Sequence, residues 1–374
     1  MVIVKKINNR NFKNALETII DHYAPNFKDK VLIKPNWGGR IPIIKGENTD
    51  SYFLKTITEI IAERNVKKIY VAHFSLLKVE KEDYSFEKLL KIVKIDKIKF
   101  PHNVEFLNLD GVEKECFNID GFSFHLPKML DEVYYLNLAK LKTHIETKIS
   151  LCLKNQMGML PSEDKINMHR KGLEKGIALL ATRLMPDLCI IDGIISMDKN
   201  GPHHGRTRKT NIVICSDNLI EADSLGSYLM GYNPQDVKHI NFAIALGVGN
   251  RLTAEIMDKY RQYRLNDFVL PQEYTKKFNL IIWPTTACSQ CIFNLDNAKQ
   301  YLKKDLILLM KLLLNKKKFN IVIGNGKVNE IESSKIIAIG ECVKALAKEK
   351  NINYLSGCPP SSKKIYEFLK DNIF

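Results

Sequence analysis

Four cysteines in the C-terminal part of the sequence have types and spacing that suit a metal centre. Cys288 and Cys291 form a C-x-x-C pair, and Cys342 and Cys358 follow singly. A close pair and two distant single cysteines allow one chain to enclose one centre. Cys358 is followed by two prolines, and iron–sulfur motifs often place Pro after a ligating Cys. Structural zinc sites more often use two close pairs. We therefore expect a 4Fe–4S cluster, with zinc as the alternative.

A second set of polar residues lies in the N-terminal part and is suited to an anionic ligand. Lysine supplies a point charge and Asn can orient a bound group. Histidine titrates near neutral pH and can supply or accept protons. We expect ligand binding by Lys34, Asn36, Lys154, Asn155, Asp192 and Arg206. We expect catalytic roles for Lys142, His144, His169 and His204. Two alternatives stay open, a solvated lysine-rich loop and a second metal site at the histidines.

The elements that must position these residues alternate between strands and helices. In the N-terminal part we predict strands at Val31–Ile33, Lys68–Ala72, Val104–Leu107, Glu132–Leu138, Leu188–Ile191 and Asn211–Cys215. In the C-terminal part we predict strands at Phe278–Trp283, Asn320–Ile323, Lys335–Ile339 and Asn353–Leu355, and helices at Asn297–Leu314 and Cys342–Lys350. Such alternation is typical of a parallel sheet, which places ligand sites beyond the carboxyl ends of its strands. All four cysteines, and many of the polar residues, follow predicted strands.

The predicted fold class is α/β throughout. The chain has 374 residues, of which 45% are hydrophobic, enough for two ordinary domains. We expect a large N-terminal α/β domain at residues 1–270 that binds the substrate. Residues 271–374 should form a Rossmann-like parallel-sheet domain that carries the cysteines.

Composition and charge favour some partners over others. The formal net charge is +15, which would attract an acidic electron carrier or an anionic substrate. No nucleic-acid-binding motif is recognisable, so nucleic acid is not an expected partner. No apolar run has the length of a membrane span, and the N-terminus has no signal-peptide pattern. A cytoplasmic location is the simplest expectation.

Several motifs, taken in order along the chain, resemble one known family, the domain-of-unknown-function family 362. They are Lys34-Pro35-Asn36, Leu141-Lys142-Thr143-His144, Leu153-Lys154-Asn155 with Gly158, Asp192-Gly193, Gly201-Pro202 with Gly205, Asp217 with Asp223, and the four cysteines with their glycines and prolines. The resemblance extends from about Val31 to Ile365. It implies an iron–sulfur protein of unassigned activity. Many relatives look as if they carry an additional ferredoxin-like segment, which this sequence lacks, so electrons would come from an external donor such as ferredoxin or flavodoxin.

These observations lead to three functional hypotheses. The first is an oxidoreductase or electron-transfer enzyme that acts on an anionic small molecule or cofactor. The second is a non-redox isomerase or lyase with a structural or Lewis-acid cluster. The third is a metallocluster-binding or electron-carrier module without a substrate of its own.

Overall fold

The computed structural model describes most of the chain and divides it into two compact units, residues 1–270 and 271–374. The described residues are 1–7, 12–23, 26–38, 44–75, 85–202, 204–271, 275–277, 280–283, 287–314, 319–324 and 336–373. In the described part of the chain, no helix is both long enough and apolar enough to cross a membrane.

The first unit contains ten strands among its described residues. They are β1 (Val2–Lys6), β2 (Lys30–Pro35), β3 (Lys68–His73), β4 (Val104–Asn108), β5 (Lys114–Ile119), β6 (Phe122–Pro127), β7 (Tyr134–His144), β8 (Lys148–Ser150), β9 (Leu188–Asn200) and β10 (His204–Ser216). The large sheet has the order β1-β10-β9-β7-β2-β3-β4, with β8 paired to β7. The pairs from β9 through β7, β2 and β3 to β4 are parallel. Strands β1, β8 and β10 pair antiparallel, and β5 and β6 form a separate hairpin.

Helices cover both faces of this sheet. They are α1 (Phe12–His22), α2 (Ser51–Ala62), α3 (Phe86–Ile92), α4 (Cys152–Asn155), α5 (Ser162–Lys171), α6 (Leu173–Ala181), α7 (Leu219–Leu229), α8 (Lys238–Ala245) and α9 (Ala254–Lys259). Successive side chains of a strand point to opposite faces. Accordingly, Leu32 and Tyr135 belong to one apolar core, whereas Ile33 and Leu136 belong to another. Every residue of β7 is buried, as expected of a central strand.

The second unit contains a smaller, mostly parallel sheet. Its strands are β11 (Thr275–Lys277), β12 (Leu280–Trp283), β13 (Phe319–Ile323), β14 (Ile336–Ile339) and β15 (Tyr354–Leu355), and its helices are α10 (Ser289–Lys304), α11 (Leu306–Leu314), α12 (Lys344–Glu349) and α13 (Ser362–Ile373). The strands lie in chain order, with β12 to β15 parallel and β11 antiparallel at one edge. The two sheets and their helices confirm the α/β class.

Several predicted elements have different bounds in the structure. The strands predicted at Leu188–Ile191 and Asn211–Cys215 are parts of the longer β9 and β10. The strand predicted to end at Leu138 continues to His144, because β8 pairs antiparallel with its last residues. Lys142 and His144 therefore lie within a strand rather than in a loop. The single helix predicted at Asn297–Leu314 is two helices, α10 and α11, which meet at Asp305. The carboxylate of Asp305 accepts a hydrogen bond from the Leu308 N–H at 3.0 Å, as an N-cap does.

Candidate anion site and cysteine cluster

A chain of three asparagines, which we call the amide relay, connects strands β2 and β7 to helix α4. The side-chain amide of Asn36 donates to Asn155 Oδ1 at 3.0 Å. The amide of Asn155 donates to Asn137 Oδ1 at 2.8 Å and to the Lys34 carbonyl at 3.1 Å. The amide of Asn137 donates to the Cys152 carbonyl at 3.0 Å. Each amide uses its oxygen as acceptor and its nitrogen as donor, so the relay fixes the orientation of all three side chains.

Asn155 reaches the relay because helix α4 begins at a buried carboxylate. Asp223, on α7, accepts hydrogen bonds from the backbone N–H groups of Cys152 at 2.7 Å and Leu153 at 3.0 Å. Burial raises the pKa of Asp223 to about 6, against the opposing effects of these hydrogen bonds and of His239. Asp223 thus has a structural hydrogen-bonding role.

Lys142 lies at one end of the amide relay. Its ammonium group donates to Asn36 Oδ1 at 2.8 Å and to the Glu47 carbonyl at 2.7 Å, and the residue is only 5% exposed. Burial lowers its pKa to about 8, an effect that the Glu47 side chain opposes and that Lys154 and Lys140 reinforce. Both protonation states of this amine are therefore accessible close to neutral pH.

Lys34, at the end of β2, is a second buried lysine next to the relay. Its Nζ donates to the Pro35 carbonyl, and 1% of the residue is exposed. Burial lowers its pKa well below the ordinary range, and Lys165 and Lys142 lower it further. Among the described residues, no carboxylate forms an ion pair with it. A Cβ atom at Gly158 would stand 2.5 Å from Lys34 Nζ, so the lysine occupies its position only because residue 158 has no side chain.

His73 and Lys165 complete the surroundings of Lys34. The His73 nitrogens lie 2.5 Å from the Phe74 carbonyl and 3.1 Å from the Trp37 carbonyl. A neutral imidazole can donate to only one of them. Burial lowers the pKa of His73 well below its usual value, as do Lys34 and Lys165. Burial also lowers the pKa of Lys165 to about 8, although Asp110 and Asp164 oppose the shift.

We call Lys34, Lys142 and Lys165 the lysine cluster. Hydrogen-bonding oxygens surround Lys142, but they are mostly carbonyl and amide oxygens, which carry no full charge. Bringing an anion close to these amines would raise their pKa values, because opposite charge favours the protonated form. The arrangement is therefore able to bind an anion.

Two of the predicted ligand-binding residues lie instead in ion pairs within the protein. Asp192 is fully buried and accepts from Lys140 Nζ at 2.6 Å. Arg206 donates from Nε and Nη2 to the two carboxylate oxygens of Asp198, at 3.0 and 2.5 Å. Both pairs stand on β9 and its neighbours, β7 and β10. Neither contributes a side-chain hydrogen bond to the lysine cluster among the described residues.

Two of the predicted catalytic histidines meet at Glu146. His144 Nδ1 accepts hydrogen bonds from the backbone N–H groups of Glu146 at 3.1 Å and Thr147 at 3.4 Å. Its proton is therefore favoured on Nε2. His169 Nδ1 lies 3.2 Å from Glu146 Oε1. The Glu146 side chain is 8% exposed, and its Oε2 has no hydrogen-bond partner within the described part of the chain.

The remaining two predicted residues are less informative. Lys154, on α4, contacts Met157 Sδ at 3.7 Å and acts electrostatically on Lys142. His204 is the first residue of β10, and its side chain lies outside the described part of the molecule.

The four cysteines follow strands of the second sheet. Cys288 comes after β12 and caps helix α10, with its Sγ 3.5 Å from the Cys291 N–H nitrogen. Cys342 lies in a short helical turn directly after β14. Cys358 follows β15 by three residues. Because β12, β14 and β15 are parallel, their carboxyl ends lie at one edge of the sheet.

The four thiols influence one another electrostatically. The pKa of the Cys291 thiol is raised, first by its hydrogen bond with Cys288, then by burial, and further by the proximity of Cys342 and Cys358. Burial of the Cys342 sulfur raises its pKa, as do Cys288 and Cys358. Within the described residues, no three Cys, His, Asp or Glu side chains stand close enough together to hold a single ion.

Gly340 leaves space between two of these sulfurs. Its φ of +104° is favoured for glycine. A Cβ atom there would lie 3.5 Å from Cys342 Sγ and 3.9 Å from Cys291 Sγ. A side chain at this position would fill the space that a group bound to both sulfurs needs, so donor set and cradle fit a metal cluster.

Sequence reasoning missed three residues of the anion site. Asn137 is a single amide inside an otherwise apolar strand, Tyr134-Tyr135-Leu136-Asn137-Leu138-Ala139, and a buried polar residue there was a usable signal. His73 directly follows the predicted strand Lys68–Ala72, a position at which other site residues were sought. Lys165 gave no signal, because a lysine in a helix rich in charged residues usually lies in solvent.

Comparisons with known proteins agree with the motif order. The family model described as "Domain of unknown function (DUF362)" matches residues 31–227, which is more than half of the chain; the four cysteines lie beyond this range. The thylakoid-associated protein sll1697 of Synechocystis sp. is 25% identical over 152 residues, which cover 38% of this chain and 47% of the relative. The match thus spans about half the length of that relative. The predicted family is confirmed: this chain belongs to the DUF362 family, a domain of unknown function.

Proposed function

We propose that this protein is an iron–sulfur oxidoreductase or electron-transfer enzyme that acts on an anionic small molecule or cofactor. The observation that carries the proposal is that the four cysteines follow parallel strands whose carboxyl ends share one edge of the second sheet, with Gly340 between two of their sulfurs. Cys288, Cys291, Cys342 and Cys358 would hold a 4Fe–4S cluster. Zinc is the alternative occupant of the same thiolates.

The cluster would supply one-electron transfer, and the electrons would come from a separate protein. A net charge of +15 favours an acidic donor such as ferredoxin or flavodoxin, because complementary charge accelerates encounter.

The lysine cluster supports the anionic substrate. Lys34, Lys142 and Lys165 all have lowered pKa values, with burial as the main cause. An anion would offset the cost of their buried charge and bind through charge-assisted hydrogen bonds. Asn36, held by the amide relay, would orient the ligand. His144 would hold a proton at Nε2, which its two Nδ1 hydrogen bonds leave as the donor position.

A second candidate is a non-redox isomerase or lyase. It is favoured by Lys142, whose pKa of about 8 suits proton transfer near neutral pH. In this case activity would not depend on the reduction state of the cluster. A cluster-binding or electron-carrier module without a substrate is the third candidate, and the lysine cluster argues against it.

The first test is metal and sulfide analysis of protein purified without oxygen. We expect about four irons and four sulfides per chain, with a visible absorption that dithionite bleaches. Cys342→Ser should lower both contents, whereas Cys116→Ser, at an exposed cysteine outside the set, should leave them unchanged. One zinc and no sulfide would overturn the cluster.

A second test separates the anion site from the cluster. Lys142→Met should abolish the thermal stabilisation produced by anionic metabolites in a ligand screen, while iron content and the EPR spectrum stay as in the wild type. Lys67→Met, at a surface lysine whose side chain is 75% exposed, is the matched control. Equal stabilisation of wild type and Lys142→Met would contradict the assignment of the anion to this site.

A further inference from the structure

Helix α11 has two apolar faces, one inside the second unit and one in solvent. Its sequence is Leu-Ile-Leu-Leu-Met-Lys-Leu-Leu-Leu. Leu308 and Leu312 are buried. Five other side chains of the same helix are between 56% and 76% exposed: Leu306, Ile307, Met310, Leu313 and Leu314. A helix that only completed a core would have polar residues on its outer face.

The five exposed side chains form one stripe. At about 100° per residue, they fall within an arc of about 120° on the helix surface, and Leu308 and Leu312 lie on the opposite side. Lys311 stands at the border of the stripe. The exposed face is therefore continuous. Its position opposite the buried leucines follows from the helical spacing of five residues and does not depend on the rotamer of any one of them.

The surroundings of the stripe are basic. Residues 303–318 contain six lysines and one acidic residue, Asp305. That carboxylate accepts a hydrogen bond from Tyr366 at 2.8 Å and lies 3.6 Å from Lys370 Nζ, so it does not offset the lysines. Lys303, Lys304 and Lys311 are exposed. Three further lysines, residues 316–318, follow the helix directly in the sequence.

We propose that the exposed face of α11 binds an anionic lipid bilayer, with the helix lying in the interface. Aliphatic side chains on one face and lysines beside them are the pattern of interfacial helices, in which the apolar face enters the acyl boundary and the lysines contact anionic headgroups. A protein partner is less well matched, because binding hot spots are enriched in Trp, Tyr and Arg and depleted in Leu, and the stripe is aliphatic throughout. This inference does not depend on the proposed enzymatic activity.

The test is co-sedimentation of the full-length protein with vesicles of phosphatidylcholine alone or mixed with phosphatidylglycerol. We expect binding to the mixed vesicles that weakens as salt is raised. The triple variant Ile307→Gln, Met310→Gln, Leu314→Gln should lose it by more than tenfold. The variant Lys303→Gln, Lys304→Gln, Lys311→Gln should lose about a hundredfold on mixed vesicles and change little on phosphatidylcholine.

The matched control is Leu246→Gln, at a leucine that is 44% exposed in the first unit, which should bind as the wild type does. All substitutions are at exposed positions, and thermal melting of each variant verifies that the fold is retained. Binding that is equal for wild type and the apolar triple variant would overturn the proposal. The absence of vesicle binding would also overturn the proposal. If the protein were then found to be a dimer that the apolar triple variant dissociates, the exposed face of α11 would bind a second copy of the chain instead.

Discussion

The buried amine of Lys142 should make the first unit more stable as the pH rises above 8. Its pKa in the folded protein is lowered to about 8, mainly by burial, whereas an unfolded lysine keeps an ordinary pKa of about 10.4. Between these values the unfolded state binds more protons, so the free energy of unfolding increases with pH. The destabilisation is complete below pH 8 and is relieved as the pH approaches 10.4. A shift of about two and a half units corresponds to about 3 kcal/mol.

The contribution of the Lys142 charge to stability can be isolated by comparing the unfolding free energy of the wild type with that of Lys142→Met. A neutral amine can still donate to Asn36 and to the Glu47 carbonyl, so the loss of those hydrogen bonds contributes nearly the same amount at each pH. Urea unfolding at pH 7, 8, 9 and 10 can be followed by fluorescence of Trp37, which is buried in the first unit, in a Trp283→Phe background. The difference in unfolding free energy, wild type minus variant, should rise by about 2 to 3 kcal/mol from pH 7 to pH 10.

A control and a clear contrary result are available for this experiment. Lys67→Met removes an amine at a side chain that is 75% exposed, so this control lacks the effect of burial, and no such rise is expected for it over the same range. A flat difference for Lys142→Met would show that the buried amine keeps its proton. The inference that burial outweighs the effect of the nearby Glu47 side chain on Lys142 would then be wrong.

Three further substitutions test the site and the cluster. Asn155→Leu should lower the unfolding free energy by about 3 kcal/mol in urea titrations, because it leaves buried relay partners unsatisfied; an effect below 1 kcal/mol would contradict the relay. Gly158→Ala should destabilise the wild type by more than about 1 kcal/mol but should have little effect in a Lys34→Ala background, where the amine no longer occupies the space; equal costs in a double-mutant cycle would refute the contact. Gly340→Ala should reduce iron and sulfide content, and full cluster occupancy in this variant would show that the space beside the thiols is not needed.

The sheets could be predicted from the sequence because their strands are short apolar runs bounded by polar residues. Val31–Ile33 and Asn320–Ile323 both lie within observed strands, β2 and β13. The ends were harder to predict. β7 continues beyond Leu138 through Lys140 and Lys142, since antiparallel pairing with β8 satisfies its backbone there. Polar residues at the end of an apolar run predict a loop from sequence alone. Pairing with another strand, which the local sequence does not show, can extend the strand through them.

The candidate site could be predicted only in part, for a related reason. Lys34, Asn36, Lys142 and Asn155 were grouped by residue type and by their position after strands, and hydrogen bonds of the relay bring them together. Asp192 satisfied the same criteria but pairs with Lys140. Which carboxylate meets which lysine depends on strand register, and the pairing of β7 with β9 shifts register between Lys140 and Lys142.

That shift gives two lysines of one strand different electrostatic surroundings. Lys140 contacts a buried carboxylate at 2.6 Å, the arrangement that leaves a buried charge compensated. Lys142 donates to an amide oxygen and a carbonyl oxygen, and the nearby Glu47 side chain only partly offsets the effect of burial on its charge. A lysine with only a structural role would be expected to have the environment of Lys140, in which a carboxylate compensates the charge. The environment of Lys142 leaves free energy to be gained when an anion binds. A ligand that binds only the folded state stabilises that state. The anion that fits this site should therefore stabilise the wild type but not Lys142→Met.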